Sequence, residues 1–142
     1  MRICGWAAIV LAALAGPAMA QPARDPGYDR TEREPDGSLS IGKYLFTAKA
    51  MDGLKQRMHL SDKEVFGPEL QDRMMTEILA MCGLDDLRSG KITAQQFQHN
   101  WAVHMGSIAD PATNASLYGR TKFTHTPEVQ SMIAVLKSGQ SQ

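Results

Sequence analysis

The sequence predicts a mainly α-helical domain, with four helices and a short turn, that follows an N-terminal signal peptide. Three observations predict this fold class. Beyond residue 40, apolar residues recur at helical spacing in four segments, as in helices that bury one face. Capping residues and prolines mark where helices begin. No segment shows the apolar–polar alternation that is typical of a half-buried strand.

Residues 1–20 have the features of a secretory signal peptide. Arg2 precedes an apolar run over residues 3–14, and Ala18-Met19-Ala20 matches the small–x–small pattern of a cleavage site. The apolar run is too short for a membrane span, because a spanning helix needs about 20 apolar residues. We therefore expect a periplasmic or secreted protein with no membrane span after cleavage.

Charge and cysteine content exclude several kinds of function. The net charge is zero and no basic run is present, so the chain lacks the electrostatic footprint of a nucleic-acid-binding protein. Cys82 is the only cysteine after residue 20, which excludes an internal disulfide and a cysteine-rich zinc site. The histidines are scattered in the chain at His59, His99, His104 and His125. We expect no metal and no cofactor.

The first part of the expected mature chain, residues 21–40, reads as a polar N-terminal arm. It is rich in Pro, Gly, Arg, Asp and Glu and has no apolar periodicity. Residues 41–142 make up the expected helical domain. After a turn at residues 42–46, Thr47 is suited to cap a first helix that extends to about His59.

The strongest helix signals lie between residues 67 and 101. Pro68 suits the first position of a helix that Gly83 can end in a left-handed conformation. A short turn at residues 85–89 follows. Thr93 and Gln96 then match a capping box, which predicts the start of the third helix. A loop over residues 106–125 separates it from the fourth helix, for which Thr126 is the expected cap.

Residues 85–96 partly match an EF-hand calcium loop. Asp85 stands at the first position and Gly90 at the sixth, as in that motif. Leu87 at the third position and Gln96 at the twelfth supply no carboxylate, so the ligands that complete the site are missing. We expect no calcium site there.

Two glutamates are the only acids placed where a role in a cleft is plausible. Glycan cleavage needs an acid held in an apolar cleft, where it keeps its proton. Glu69 and Glu128 lie in the first turns of expected helices, where the helix dipole accounts for them. Glu32 and Glu34 precede a glycine-containing turn and have no such role, so they are the candidate catalytic residues.

Five short segments resemble motifs of the phage-lambda-type lysozymes and related bacterial muramidase-like proteins. They are Gly42-Lys43-Tyr44-Leu45-Phe46, the run from Leu54 to Leu60, the run from Phe66 to Arg73, the run from Gly83 to Ile92, and Asn100-Trp101-Ala102. Their order and spacing are similar to those of the family from Gly42 to about Trp101. The resemblance implies a small lysozyme-like helical domain and an association with peptidoglycan.

The resemblance also implies a loss of catalytic parts. In the family, a helix upstream of the first segment ends in the catalytic glutamate, and the residues that precede Gly42 here do not read as a helix. Leu45 replaces a family glutamine, which removes a polar group from the cleft. The scaffold is therefore expected without a transferred activity.

Three functions follow from these observations. The first is an exported, degenerate domain that binds peptidoglycan glycan or a cell-wall-associated protein, in a groove bordered by Tyr44, Trp101 and His104. Aromatic faces suit sugar stacking, although Trp101 can equally be a core residue. The second is an active muramidase or lytic transglycosylase that uses Glu34, or else Glu32, as general acid. The third is a periplasmic protein-interaction module that uses the loop at residues 106–125.

Overall fold

The computed structural model describes residues 25–139. The signal peptide expected at residues 1–20 and its cleavage site lie outside the described residues. Over the described range the chain forms five α-helices and two small antiparallel sheets. The prediction of a mainly α-helical domain with four helices and no strands is therefore wrong.

Along the chain, three strands are followed by four helices, two further strands and a last helix. The helices are α1 (Ala48–Arg57), α2 (Pro68–Met81), α3 (Leu84–Arg88), α4 (Ala94–His104) and α5 (Thr126–Ser138). The strands are β1 (Thr31–Arg33), β2 (Leu39–Ile41), β3 (Phe46–Thr47), β4 (Ala109–Asp110) and β5 (Ala115–Ser116). Strands β1, β2 and β3 form one sheet in that order, and β4 pairs with β5. A 3₁₀ turn at Pro26–Asp29 precedes β1.

The strands escaped prediction because each is only two or three residues long, too short to show a period-two pattern. What defines them is pairing between distant residues. In the β1–β2 hairpin, Glu32 lies opposite Ser40. The turn is closed by the Glu34 amide, which donates to the Ser38 carbonyl at 2.8 Å. Part of the expected polar arm is thus built into a sheet.

The predicted starts of α1 and α4 are confirmed. The Thr47 hydroxyl accepts from the Ala50 amide, as expected for an N-cap of α1. Thr93 and Gln96 form both hydrogen bonds of the capping box at the start of α4. These caps work because each satisfies a helix amide that has no partner within its own helix.

Two other helix boundaries differ from the prediction. Residues expected as a short turn form α3, which begins after Gly83 in a left-handed conformation (φ 94°). In α5, Thr126 is the first helical residue and His125 precedes it as the cap. The Thr126 hydroxyl instead accepts from Gln98 Nε2 at 3.0 Å. A tertiary contact therefore replaces the expected local cap.

One hydrophobic core joins the helices to the first sheet. Its fully or almost fully buried members include Phe46, Leu54, Met74, Ile78, Leu87, Phe97, Ala102, Val129 and Ile133. Trp101 belongs to the same core and is only 4% exposed. Its indole ring contacts Phe97 edge-on, and its N–H donates to Met105 Sδ at 3.4 Å.

The buried side chain of Gln71 ties the N-terminal residues to α2. Its Oε1 accepts from the Lys43 amide at 2.9 Å, and its Nε2 donates to the Tyr28 carbonyl at 3.1 Å. Gly42 makes this approach possible. It has a φ of 84°, and a Cβ added there would lie 2.4 Å from Gln71 Oε1. Only glycine fits this position without displacing Gln71.

Candidate functional site

A cleft of about 770 Å³ lies between the first sheet with α1 on one side and the end of α4 with the loop after β5 on the other. The core side chains Phe46, Leu54, Ile78 and Met105 line its floor and are almost fully buried. Its volume is within the range of small-molecule binding sites, about 300–1,000 Å³.

The rim of the cleft exposes apolar surface. Met81, Val103 and Tyr118 line the cleft and are 37%, 44% and 57% exposed. The Tyr118 hydroxyl donates to the Val103 carbonyl, which fixes the ring beside the end of α4. An aromatic ring held by its hydroxyl presents one face for contact with a ligand.

Glu34, Ser40 and Arg120 form a buried polar group in the wall of the cleft. Arg120 Nε lies 2.6 Å from Glu34 Oε2, and Arg120 Nη2 donates to Ser40 Oγ at 3.1 Å. The Ser40 hydroxyl in turn donates to Glu34 Oε1. The side chains of Arg120 and Glu34 are only 8% and 9% exposed. Charge pairing and hydrogen bonds together offset the cost of burying both ions.

Local structure brings these three residues together. Glu34 follows β1 and Ser40 lies in β2, so the hairpin places them on one side. Arg120 arrives from the loop after β5, which packs against Gly106. The Ser116 hydroxyl donates to the Gly106 carbonyl at 2.7 Å. A Cβ at Gly106 would lie 2.9 Å from Arg120 Nε, so this close approach requires glycine.

Both oxygens of the Glu34 carboxylate have partners. Each of its oxygens accepts from a neighbouring donor, Ser40 on one side and Arg120 on the other. The cleft's other carboxylate, Asp36, is exposed, and the hydroxyl and amide of Ser38 lower the pKa of this group from its usual value. Neither carboxylate is held unpaired in an apolar pocket, which is the arrangement of a general acid in glycoside hydrolysis.

The structure brings together only two of the five predicted site residues. Glu34 and His104 both line the cleft. Glu32 pairs with Arg30 on the sheet, Trp101 lies in the core, and neither is a cleft residue. Tyr44 also lies away from the cleft lining.

Tyr44, which lies between β2 and β3, belongs to a separate polar group centred on Asp72 of α2. Its hydroxyl donates to Asp72 Oδ1 at 2.7 Å, and the Tyr28 hydroxyl donates to the same carboxylate. Burial, and then the hydrogen bond to Asp72, raise the pKa of Tyr44 above its ordinary value. The phenol stays protonated and acts as a donor, so its role in this position is to hold the chain against α2.

Two residues that line the cleft, and Ser40 behind its wall, were not found from the sequence. Ser40, Tyr118 and Arg120 carry no motif, and Tyr118 reads as part of a turn signal with Gly119. The only signal was the length of the loop between α4 and α5, since long loops in small domains often carry function. The pairing of Arg120 with Glu34 could not be predicted from the sequence, because the two residues lie in distant segments of the chain.

A second depression of about 590 Å³ lies along α1. It is lined by Asp52, Lys55, Gln56, His59 and Leu60, which all belong to one segment. Its four polar residues are exposed. A surface formed by one segment with no buried polar group does not orient a ligand, so the larger cleft is the candidate site.

The described residues contain neither a cluster of metal-ligating side chains nor a helix that could span a membrane. Within residues 25–139, no three His, Cys, Asp or Glu side chains are grouped closely enough to hold a metal ion. Over the same range, the helices are too short or too polar for any of them to cross a membrane.

Comparisons with known proteins identified no relative of this chain. No protein-family model matches the chain, and neither a curated protein nor a solved structure is significantly similar to it. The resemblance to lysozymes therefore remains a prediction from the sequence.

Proposed function

We propose that this protein is an exported, catalytically inactive lysozyme-like domain that binds the glycan of peptidoglycan in the cleft beside Glu34 and Tyr118. The observation that carries the proposal is the set of contacts that Glu34 makes in the cleft wall. It lies in the cleft wall, where a general acid would be expected, but both of its oxygens are engaged by Arg120 and Ser40.

The shape and lining of the cleft support a sugar ligand. A pyranose ring has apolar faces and polar edges. The cleft offers an apolar floor, the exposed ring of Tyr118, and polar groups such as His104 and Lys49 at its margins. Sites that bind small ligands commonly combine apolar and aromatic lining with a few polar groups that fix orientation.

Co-sedimentation with purified sacculi tests the proposal. We expect the wild-type protein to sediment with the sacculi and Tyr118→Ala to sediment less, because the exposed ring is lost from the rim. Leu117→Ala is the matched control, since Leu117 is similarly exposed at 44% but does not line the cleft. Equal retention of the two variants would contradict the proposed site. Trp101 is unsuitable for this test, because removing a buried Trp costs about 3–5 kcal/mol of stability.

An active muramidase or lytic transglycosylase is the second candidate, because Glu34 is a buried carboxylate in a cleft wall. A zymogram separates the two candidates. We expect no clearing of peptidoglycan by the wild-type protein. Clearing that is lost in Glu34→Gln would replace the proposal with a hydrolase or transglycosylase that uses Glu34.

The exposed apolar rim is also compatible with a cell-wall-associated protein as ligand. Sacculi freed of attached protein by protease treatment distinguish this case. Retention on treated sacculi supports glycan binding, whereas retention only on untreated sacculi would favour the protein-interaction module.

A further inference from the structure

The turn that joins β2 to β3 holds a leucine in a backbone conformation that leucine rarely adopts. Leu45 has a φ of 56°, and its amide donates to the Gly42 carbonyl at 3.1 Å. Within residues 25–139, the other non-glycine residues with positive φ are His59 and Asn114, two residue types that are enriched in this region. A bulky apolar residue at such a φ is strained, because its Cβ lies too close to the following carbonyl oxygen. For the turn alone, glycine or asparagine would suit position 45 better.

The hydrophobic core does not account for a leucine at this position. In the described part of the chain, four leucines are more than nine-tenths buried: Leu45, Leu54, Leu70 and Leu87. The last three belong to the hydrophobic core, whereas Leu45 does not, although it is only 7% exposed. Leu45 lines the cleft. Its burial therefore comes from the cleft wall and not from the core.

Strain that neither the turn nor the core explains indicates a role for Leu45 in binding. Residues in sparsely populated backbone conformations lower stability, and they are found mainly at active sites and ligand-binding sites. The hydrogen bond to Gly42 and the buried neighbour Phe46, which is 2% exposed, hold Leu45 in a fixed position. The leucine side chain has no polar atom, so the contact that it can offer to a ligand is an apolar one.

We propose that Leu45 is a ligand-contact residue of the cleft, where its side chain packs against the apolar face of a sugar ring. The strained turn is retained for binding, at a cost to the stability of the fold. The inference rests on the proposed glycan binding and adds a residue that makes the contact. It predicts that the leucine side chain matters more for binding than for folding, which is the reverse of what holds for a core leucine.

Two truncations at position 45 measure the strain. Leu45→Gly and Leu45→Ala both remove the leucine side chain, but only glycine adopts a positive φ without steric cost. Elsewhere alanine usually gives the more stable protein, because glycine loses more conformational entropy on folding. We expect the opposite order here, with the Tm of Leu45→Gly higher than that of Leu45→Ala by roughly 2–8 °C. An equal or higher Tm for Leu45→Ala would overturn the inference, because position 45 would then carry no strain.

Co-sedimentation with purified sacculi measures what the side chain contributes to binding. We expect Leu45→Gly to bind about tenfold more weakly than wild type, the loss expected when one buried aliphatic contact is removed. Leu70→Ala is the matched control, because Leu70 is also 7% exposed but lies in the core and does not line the cleft. We expect this control to have a lower Tm than wild type and, at a temperature where it is folded, to bind sacculi as wild type does. Wild-type affinity of Leu45→Gly, or an equal loss of affinity in Leu70→Ala, would overturn the inference.

An NMR measurement on the wild-type protein covers the case in which a variant fails to fold. The methyl resonances of Leu45 and Leu70 are followed as purified, peptide-free glycan strands are added. We expect the Leu45 methyl resonances to shift and to show nuclear Overhauser effects to sugar protons, and those of Leu70 to stay unchanged. Binding of the strands without any change at Leu45 would overturn the inference and leave the proposed function standing. Absence of binding by the wild-type protein would overturn both.

Discussion

Arg120 Nε lies 2.6 Å from Glu34 Oε2, and this ion pair joins the loop after β5 to the β1–β2 hairpin across the cleft wall. Both side chains are more than nine-tenths buried. The pair therefore shapes the cleft and also engages the one buried carboxylate that lines it. Five predictions on stability and reactivity follow from this ion pair and from other buried groups.

Breaking the ion pair on one side should destabilise the fold strongly. Arg120→Met leaves the Glu34 carboxylate buried without its partner, which typically costs about 3–5 kcal/mol. The double variant Glu34→Leu/Arg120→Met removes both charges, and we expect it to recover most of that loss. Urea denaturation measures both free energies of unfolding. If the effects of the two single substitutions simply add in the double variant, the two residues are not coupled as described.

The close approach at Gly106 gives a second prediction. A Cβ there would lie 2.9 Å from Arg120 Nε and 3.1 Å from Tyr118 Cδ2. We expect Gly106→Ala to lower the free energy of unfolding by about 1–3 kcal/mol, the usual cost of overpacking. It should also weaken sacculus binding, because both displaced residues line the cleft.

Gly53→Ala provides the control for the stability effect of that substitution. Gly53 lies within α1, and no atom beyond its chain neighbours and the backbone of its own helix stands within 4 Å of an added Cβ. Alanine is favoured over glycine inside a helix by about 0.5–1 kcal/mol. We expect this variant to be as stable as wild type or slightly more so. Similar losses in both variants would argue against the packing at Gly106.

Comparing alanine substitutions at Gly42 and Gly37 distinguishes the cost of a steric clash from the cost of backbone strain. Both have positive φ, 84° and 85°, but only at Gly42 would a Cβ meet a buried side chain, Gln71. We expect Gly37→Ala to cost about 1–2 kcal/mol through the left-handed conformation alone. Gly42→Ala should cost more, because it also displaces Gln71 from the Lys43 amide. Thermal denaturation compares them, and equal losses would exclude the clash.

The thiol of Cys82 should be unreactive in the native protein. Cys82 is fully buried, and this burial raises the pKa of its thiol to about 12. Since the thiolate is the reacting form, iodoacetamide at pH 8 should label the native protein very slowly and the urea-unfolded protein quickly. Rapid labelling of the native protein would show that this end of α2 opens.

The same shift in the pKa of Cys82 sets a direction for alkaline stability. The folded-state pKa is higher than the unfolded value, so the unfolded chain loses its proton first as pH rises. The contribution of the protonated Cys82 thiol to the free energy of unfolding is complete below the unfolded pKa. It is lost as the pH rises from about 9 to about 12. We expect Cys82→Ala to be less sensitive to pH than wild type in this window. An identical decline in both proteins would contradict the assignment to Cys82.

The sequence predicted the parts of the fold that depend on neighbouring residues. Thr47 and the pair Thr93 and Gln96 cap their helices within one turn, so the signal and the contact lie in the same short segment. Gly83 takes the left-handed conformation expected of a residue that ends a helix. Such local interactions can be read without knowledge of the tertiary structure.

The missed features depend on residues that are far apart in the chain. Strand β2 exists because it pairs with β1 on one side and β3 on the other, and the strands are too short to leave a periodic signal. Trp101 has the same helical spacing whether it faces a groove or the core, and the core contains it. The partner of Glu34 is Arg120, and no local pattern links them.

Size-exclusion chromatography of the protein with purified, peptide-free glycan strands tests the central claim most directly. We expect the protein to elute together with the strands and the strands to keep their original length after prolonged incubation. Elution of the protein apart from the strands, or shortening of the strands, would contradict a domain that binds peptidoglycan glycan without cutting it.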